Sequence, residues 1–179
     1  RHYRRQRQMC IRDSIDVIAP AYQGSNLVWY QNNGSQSFSM YTIDNSLTGA
    51  REAIVTDLDR DGDMDVIAIA ESGDKLAWYD NNGSQSFTKT TIDASIDGPR
   101  SIDAADLDGD NDVDILLDAY NDDVLVWYEN NGFESFTKNI IVSDAGFRPF
   151  AIDLDEDGDM DIVNPDLSSD ELLLSLIHI

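Results

Sequence analysis

The chain has 179 residues, of which 35 are acidic and 12 are basic, so its formal net charge at pH 7 is −23. A surface this negative repels nucleic acid and anionic membranes, so we do not expect the chain to approach either of them unaided. A single cysteine excludes a disulfide framework, and no apolar run reaches the roughly 18 residues that a membrane-spanning helix needs.

Residues 1–14 and 174–179 are expected to be foreign to the protein. Met9–Ser14 back-translates to a nucleotide string whose reverse complement encodes Leu174–Ile179. Inverted copies at the two ends are typical of sequencing-adapter sequence, so neither segment is used to predict the fold. The alternative is a basic arm that binds nucleic acid or membrane. Without these ends the chain keeps 34 acidic and 7 basic residues, and its formal charge is −27.

An internal repeat of about 49 residues organises the rest of the chain, residues 15–173, which we expect to be a piece of a longer protein. The positions that recur most regularly are Trp29, Trp78 and Trp127; Gly34, Gly83 and Gly132; and Phe38, Phe87 and Phe136. Each repeat contains four short β-rich segments, which is the sequence form of a propeller blade. We therefore predict an all-β protein, a β-propeller fragment of about three four-stranded antiparallel blades. The expected blades are 15–46 (incomplete), 47–95, 96–144 and 145–173 (incomplete).

The second repeat shows the predicted strands most clearly. They are Ala50–Thr56, Asp65–Ala70, Lys75–Tyr79 and Phe87–Ile92. The second of these strands is apolar after its first residue, which indicates burial on both faces. Its counterparts in the other repeats are Asp16–Ala19, Asp114–Leu117 and Asp161–Val163. The Asn82-Gly83 turn favours antiparallel neighbours, and the polar alternation of the fourth strand is typical of an outer strand.

Acidic loops stand between the first and second predicted strands of three repeats, at residues 57–65, 106–114 and 153–161. Each loop places aspartate on alternate residues, and close carboxylates repel one another by about 1 kcal/mol per pair even in water. Oxygen ligands without histidine or cysteine suit a hard cation, and a flexible loop rich in carboxylates suits calcium better than magnesium. The sequence therefore predicts about one Ca²⁺ ion per loop. The candidate ligands are Asp57, Asp59, Asp61, Asp63, Asp65, Asp106, Asp108, Asp110, Asp112, Asp114, Asp153, Asp155, Asp157, Asp159 and Asp161.

The spacing within each loop supports a metal site. Side chains at loop positions 1, 3 and 5 converge if the backbone turns sharply after them. Gly62 and Gly158 permit that turn, and Asn111 fills the same slot with a residue that tolerates left-handed φ. A carbonyl oxygen at position 7 and a carboxylate at position 9 would complete the shell. An EF-hand needs glutamate at position 12, and this chain has none there. The alternative is an acidic loop that is simply exposed to solvent.

Two further sets of residues recur in the repeats. The three Trp-Tyr pairs are interpreted as packing between blades, with stacking on a sugar as the alternative. Arg51, Arg100 and Arg148 open the innermost strand of three repeats, and we expect them to brace acidic loops against the next blade. The alternative for these arginines is a channel-lining site for an anionic ligand such as a uronate. Ligand contacts are expected in the loops where the repeats differ, on the face opposite the calcium loops.

The acidic loop followed by Asp-Val-Ile, then Trp-Tyr and Asn-Asn-Gly, resembles the FG-GAP/VCBS repeats of bacterial surface proteins, which are relatives of the integrin α-chain propeller. The resemblance covers nearly all of residues 15–173. It implies a seven- or eight-bladed propeller with calcium held between the first and second strands of each blade. It also implies that Asp63, Asp112 and Asp159 supply main-chain oxygens to the metal.

We expect a non-catalytic, calcium-braced propeller module of a secreted or cell-surface protein, used for adhesion or for interaction with a protein or carbohydrate ligand. The calcium is expected to be structural, because protein oxygens fill its shell. The remaining blades of the same parent chain are expected partners, and neither nucleic acid binding nor membrane insertion is expected. The alternative is the propeller of a polysaccharide lyase or hydrolase whose catalytic residues lie mostly outside this sequence. Residues 15–173 contain no histidine or cysteine, which argues against catalysis in these blades.

Overall fold

The computed structural model of the chain describes residues 15–133, 135–143, 146 and 148–165, together with the backbone of 172–175. The segments predicted to be foreign, 1–14 and 174–179, lie outside the described residues apart from the backbone at 174–175. The regular structure within the described ranges is β-strand, and no helix there is long and apolar enough to cross a membrane.

Fourteen strands are formed in the described part of the chain. They are β1 (Val17–Ala21), β2 (Asn26–Asn32), β3 (Phe38–Asp44), β4 (Ala50–Thr56), β5 (Asp65–Ala70), β6 (Lys75–Asn81), β7 (Phe87–Asp93), β8 (Pro99–Ala105), β9 (Asp114–Ala119), β10 (Val124–Asn130), β11 (Phe136–Ser143), β12 (Phe150–Ile152), β13 (Asp161–Pro165) and β14 (Leu172–Ser175). The four strands predicted in the second repeat are confirmed as β4–β7. β6 continues past Tyr79 because Asp80 and Asn81 still pair with the start of β7.

The strands join in chain order into four antiparallel sheets, which we call blades 1 to 4. Blade 1 is β1-β2-β3, blade 2 is β4-β5-β6-β7, blade 3 is β8-β9-β10-β11 and blade 4 is β12-β13-β14. The first strands of successive blades contact one another, β1 with β4, β4 with β8 and β8 with β12. The sheets therefore fan outward from a shared inner edge, and the predicted all-β fold with antiparallel propeller blades is confirmed.

The hydrophobic core lies between blades rather than within any one of them. All six residues of β5 and all six of β9 are buried, as the apolar runs at 66–70 and 115–117 predict, and in β9 the burial also extends to Asp118. Side chains alternate along β5, so that Val66 and Ala68 pack toward blade 1 while Ile67 and Ile69 pack toward blade 3. The outer strand β7 is largely exposed, as its polar alternation predicts. Each central strand thus contributes to two interfaces at once.

A repeated hydrogen-bond network ties the outer part of each blade to the next. Tyr128 Oη donates to Asp93 Oδ2 at 2.8 Å, and Lys138 Nζ donates to the same oxygen at 2.9 Å. Burial alone raises the pKa of Asp93, but Lys138, Ser95 and Tyr128 together lower it to about 2. The network recurs one blade earlier with Asp44 as the acceptor. The packing interpretation is thus confirmed for the Trp-Tyr pairs of blades 2 and 3, whose four rings are buried.

Replacing Tyr128 by Phe should lower the free energy of unfolding by about 1–2 kcal/mol at pH 7, because a hydrogen bond to a charged acceptor is lost while the ring stays packed. Urea unfolding measures this difference. It should shrink as the pH falls from about 4, where the unfolded state begins to bind the Asp93 proton, through about 2, where folded Asp93 loses its charge. Tyr120→Phe is the matched control, because the ring of Tyr120 stacks on Arg100 at 3.4 Å and the substitution keeps that ring. Equal losses in the two variants would contradict the role of the Asp93 network.

Candidate metal centres

The three acidic loops connect β4 to β5, β8 to β9 and β12 to β13, so they lie on one face of the propeller. The loops therefore occupy the predicted place between the first and second strands of blades 2, 3 and 4. The turns between the second and third strands lie with the blade links on the opposite face, where Glu71 N donates to Gly49 O and Tyr120 N donates to Gly98 O at 3.0 Å each.

Carboxylate groups converge within each loop. Asp57, Asp59 and Asp61 offer oxygens that all lie within 4.8 Å of one another, and Asp153, Asp155 and Asp157 form the equivalent group in blade 4. The group in blade 3 consists of Asp106, Asp108 and Asp114. Positions 1 and 3 are thus brought together in all three loops. Position 5 joins the group in two of them, and in blade 3 the ninth-position aspartate takes its place.

The backbone turn that the spacing requires is present. Gly62, Asn111 and Gly158 have φ of 96°, 71° and 101°, so the sixth loop position is left-handed in every copy, as predicted. The N–H of this residue donates to the carboxylate at position 1, from Gly62 N to Asp57 Oδ2 at 3.1 Å in blade 2. The fourth position is left-handed as well. Sequence reasoning missed that second turn, although the glycine at position 4 of the middle loop is a signal for it.

The ninth-position aspartates are buried and anchor the loop to the sheet. Asp114 Oδ1 accepts from Asn130 N at 2.7 Å and its Oδ2 accepts from Leu107 N at 3.0 Å. Asp65 makes the same pair of bonds in blade 2, and Asp16 accepts from Asn32 N in blade 1. Burial raises the pKa of Asp114 to about 6, against the lowering effect of Asn130 and Leu107. A carboxylate has about four lone-pair sites, so these oxygens can still bind a cation.

The donor set fits a hard divalent cation. Asp57 Oδ1 is a buried oxygen with no hydrogen-bond partner, which is unusual for a carboxylate unless a cation occupies the site. Burial and then the neighbouring carboxylates Asp61, Asp80 and Asp57 raise the pKa of Asp59, so the loop resists holding all its charges unaided. Every donor in these groups is a carboxylate oxygen, and a donor set of many carboxylates favours calcium.

The seventh-position side chains lie outside these groups. The carboxylate of Asp63 lies against Gly83, and that of Asp112 lies against Gly132, in the Asn-Asn-Gly turn of the same blade. Asp112 Oδ1 also accepts from the guanidinium of Arg60 in the preceding loop, at 2.7 Å. Sequence reasoning missed this ion pair, which joins the acidic loops of blades 2 and 3.

The arginines of the inner strands have a structural role but not the predicted partners. Arg51 and Arg100 bond the two carboxylate oxygens of Glu71, at 2.6 Å and 3.0 Å. Glu71 follows β5 on the face opposite the acidic loops, so the expectation that these arginines brace the acidic loops is wrong. Because both guanidinium groups are already paired, the uronate alternative for them is not favoured.

Two equivalent clefts open between blades beside the acidic loops. One of about 400 Å³ lies between blades 2 and 3, and one of about 390 Å³ lies between blades 1 and 2. Each cleft is lined by the tryptophan of one blade and the phenylalanine of the next. These are Trp78 and Phe136 in the first cleft and Trp29 and Phe87 in the second. The remaining lining residues include Leu58, Asp59, Arg60, Asp112 and Asn130 in the first cleft and Asp16, Met64, Asn81 and Gln85 in the second.

Antiparallel four-stranded sheets that share an inner edge and carry acidic loops between their first two strands define a β-propeller built from sequence repeats. The FG-GAP-like repeat profile matches residues 14–68 and 57–117, which together make up more than half of the chain. The chain therefore belongs to the FG-GAP-like repeat family, and the resemblance seen in the sequence is confirmed.

A solved structure with a similar fold is a lectin from Agrocybe aegerita, described for its specific recognition of non-reducing terminal N-acetylglucosamine. The two are 20% identical and superpose with a TM-score of 0.55 over 83% of this chain and 46% of the lectin. The chain thus spans about half the length of that protein, and the likeness establishes a shared fold. No curated protein sequence matches the chain.

Gly83→Ala should destabilise the protein more than Gly34→Ala, although both glycines occupy the same turn position with φ of 73° and 78°. A Cβ at Gly83 collides with the carboxylate of Asp63, whereas nothing lies within 4 Å of one at Gly34. We expect a loss of about 2–4 kcal/mol for Gly83→Ala and about 1 kcal/mol for Gly34→Ala, measured by urea unfolding. Equal losses would show that the turn and the acidic loop are not in contact.

Proposed function

We propose that this chain is a calcium-stabilised propeller module that binds carbohydrate in the clefts between its blades, in a secreted or cell-surface protein. The observation that carries the proposal is the repetition of one cleft at two successive interfaces. Equivalent clefts on one rigid scaffold can bind several units of the same ligand at once, which raises the avidity for a ligand made of repeated units, such as an oligosaccharide.

The chemistry of the clefts suits a neutral saccharide. Sugars present apolar C–H faces beside hydroxyl groups, and each cleft combines a half-buried phenylalanine, joined by half-buried Trp29 between blades 1 and 2, with polar residues of the adjacent loop. Arg60 is half exposed at the rim of one cleft and can donate to hydroxyl oxygens. A volume near 400 Å³ lies within the range of small-molecule sites. The fold shared with the lectin supports this assignment, whereas the strong negative charge of the chain disfavours acidic polysaccharides.

Calcium would be held by the converging aspartates and would fix the loops that form one wall of each cleft. Asp57, Asp106 and Asp153 supply position 1, and the other carboxylates of each group complete the side-chain ligands. The ion would stabilise the loop by neutralising the negative charge of the crowded carboxylates, which otherwise repel one another. Calcium sites in extracellular modules typically have dissociation constants of about 10⁻⁴–10⁻³ M. A structural calcium ion in this module therefore supports a secreted or cell-surface location.

We infer a binding role rather than a catalytic one. The polysaccharide lyase or hydrolase alternative needs an acid–base pair that reaches substrate. Asp118, whose pKa burial raises to about 6, has the raised pKa typical of a general acid but is fully enclosed. The carboxylates beside the clefts belong to the metal-binding groups, the Arg60 ion pair, or, for Asp16, the anchor to blade 1.

Calcium should raise the melting temperature of the purified chain above its value in EDTA, and magnesium should raise it less. A ligand that binds only the folded state at about one hundred times its dissociation constant stabilises by about 2.7 kcal/mol per site, or roughly 5–10 °C for a domain of this size. Asp57→Asn should reduce the calcium-dependent rise. Asp122→Asn removes the same charge on the opposite face, keeps an oxygen to accept from Asp97 N, and should leave the rise unchanged. Identical melts in calcium and EDTA would refute the metal assignment.

Oligomers of N-acetylglucosamine should bind the calcium-loaded chain at two equivalent sites in isothermal titration calorimetry. Arg60→Ala, at the cleft between blades 2 and 3, and Met64→Glu, at the cleft between blades 1 and 2, should each remove one site. Phe133→Ala is the control, since this side chain is 87% exposed on a turn outside both clefts. Unchanged titrations in both cleft variants would contradict the cleft assignment, and shortening of the oligomers would favour the enzyme alternative.

A further inference from the structure

Two polar side chains are buried without partners in the interface between blades 3 and 4. Asp118 on β9 is 0% exposed and Asn164 on β13 is 2% exposed. Both carboxylate oxygens of Asp118 and both terminal amide atoms of Asn164 lack a hydrogen-bond partner. Buried polar groups in folded proteins are nearly always paired, because each orphaned group is costly. Four orphaned atoms at one interface therefore require a physical explanation.

The two side chains extend from facing sheets into the same interface. Leu116 of β9 and Ile162 of β13 pack in one cluster between blades 3 and 4. Asp118 and Asn164 each lie two residues farther along the same strands, so each lies on the same face as its neighbour in that cluster. The interface between blades 2 and 3 carries an apolar pair at the equivalent positions.

That apolar pair is Ile69 and Leu117, which belong to the cluster between blades 2 and 3. A 49-residue step relates Ile69 to Asp118, and the 47-residue step of the last repeat relates Leu117 to Asn164. The two equivalent positions thus carry polar side chains between blades 3 and 4 and apolar side chains between blades 2 and 3. Paired replacement of this kind points to an interaction between the two residues rather than to two independent substitutions.

The charges around Asp118 do not pair with it. Burial raises its pKa to about 6, while Arg100 on β8 and Arg51 on β4 lower it and Asp123 in the β9–β10 turn raises it. Both arginines are held by Glu71.

The groups that face Asp118 from the neighbouring strands are neutral or already bonded. The cross-strand neighbours of Asp118 are Ser101 of β8 and Leu125 of β10, neither of which carries a charge. Farther along β8, Asp103 accepts from Ala151 N of blade 4 at 2.9 Å, and β13 offers the neutral Asn164. A cation at this position would meet two guanidinium charges and the Asn164 amide N–H groups, which disfavours a metal site.

We propose that Asp118 and Asn164 form a proton-dependent lock between blades 3 and 4, in which the neutral carboxyl group of Asp118 pairs with the Asn164 amide. The carboxyl O–H donates to Asn164 Oδ1, and the carboxyl C=O accepts from Asn164 Nδ2–H. Neither bond is formed by the side-chain conformations of this structure, so the lock requires rotation of the two side chains, after which one bound proton satisfies all four orphaned atoms. An ionised carboxylate accepts from Nδ2 but leaves Oδ1 facing negative charge, so loss of the proton opens the lock.

The direction of the pH effect follows from linkage. Since burial raises the pKa of Asp118 in the folded state above its unfolded value, the folded state binds the extra proton between about pH 4 and 6. Stability from the lock is full below that range and is lost as the pH rises through it. The lock is independent of the metal loops, because Asp118 lies at the far end of β9 from Asp114.

The test compares urea unfolding of the chain and of Asp118→Asn from pH 4.5 to 7.5, in EDTA and again in saturating calcium. The folded-to-unfolded ratio of the wild type relative to Asp118→Asn should fall by about 25-fold across this range in both series, which is the part above pH 4.5 of the roughly hundredfold change that a shift of about two pKa units allows. The double variant Asp118→Ile, Asn164→Leu reproduces the apolar pair of the neighbouring interface. The wild type should show the same fall relative to this variant.

Should the variants fail to fold, the carboxyl carbon of Asp118 can be titrated by NMR in the wild type, and a midpoint near pH 6 is expected. A midpoint near 4 would overturn the lock. A wild-type advantage over Asp118→Asn that grows with pH and with added cation would also overturn it, and would identify a metal site instead. A stability difference between the wild type and the variants that does not change with pH would also contradict the lock, and would show that the two residues contribute only packing.

Discussion

A sheet of four short strands with apolar side chains on both faces is stable only when another sheet covers each face. β5 and β9 impose this condition, because every residue of both strands is buried. Repetition satisfies it, since each blade supplies one face to the blade before it and one to the blade after it. Polar links follow the same arrangement: Glu52 accepts from Ile102 N, and Asp103 accepts from Ala151 N one blade later. The acidic loops lie on one face of the propeller, outside the packed sheets, where a charged segment can remain in solvent.

Carboxylates are stabilised in three different ways in this structure, and each has a different consequence. Asp114 accepts from backbone N–H groups that hold the loop against the sheet. Asp93 is paired with Lys138 and a tyrosine, and it stays ionised down to about pH 2. Asp118 is buried without a hydrogen-bond partner, which favours its protonated form, and its proposed partner is the neutral amide of Asn164. The backbone donors of Asp114 leave carboxylate lone pairs that can bind a metal, and the Lys138 ammonium keeps Asp93 ionised. For Asp118, pairing with the proposed amide partner depends on a bound proton.

The likeness to a lectin concerns the arrangement of blades, and binding chemistry resides in side chains. The clefts matter because they lie where two blades meet, so a change in how the blades pack changes the site. One wall of each cleft is an acidic loop or the strand that follows it. Under the proposed function, blade packing, metal binding and ligand binding would therefore be linked through the same few residues, with Arg60 and Asp112 at the junction.

Residue patterns alone predict the repeat, the strands, the placement of the acidic loops and their left-handed turn at Gly62 and Asn111. These features depend on alternation and spacing within one repeat, and such patterns can be read from neighbouring residues. The folded structure is needed to know which groups meet across blades, Arg100 with Glu71 and Arg60 with Asp112, and which meet within blade 2, Arg51 with Glu71 and Gly83 with Asp63. Partners about 20 to 50 residues apart are selected by the angle and register of one sheet on the next, and no local pattern encodes that geometry.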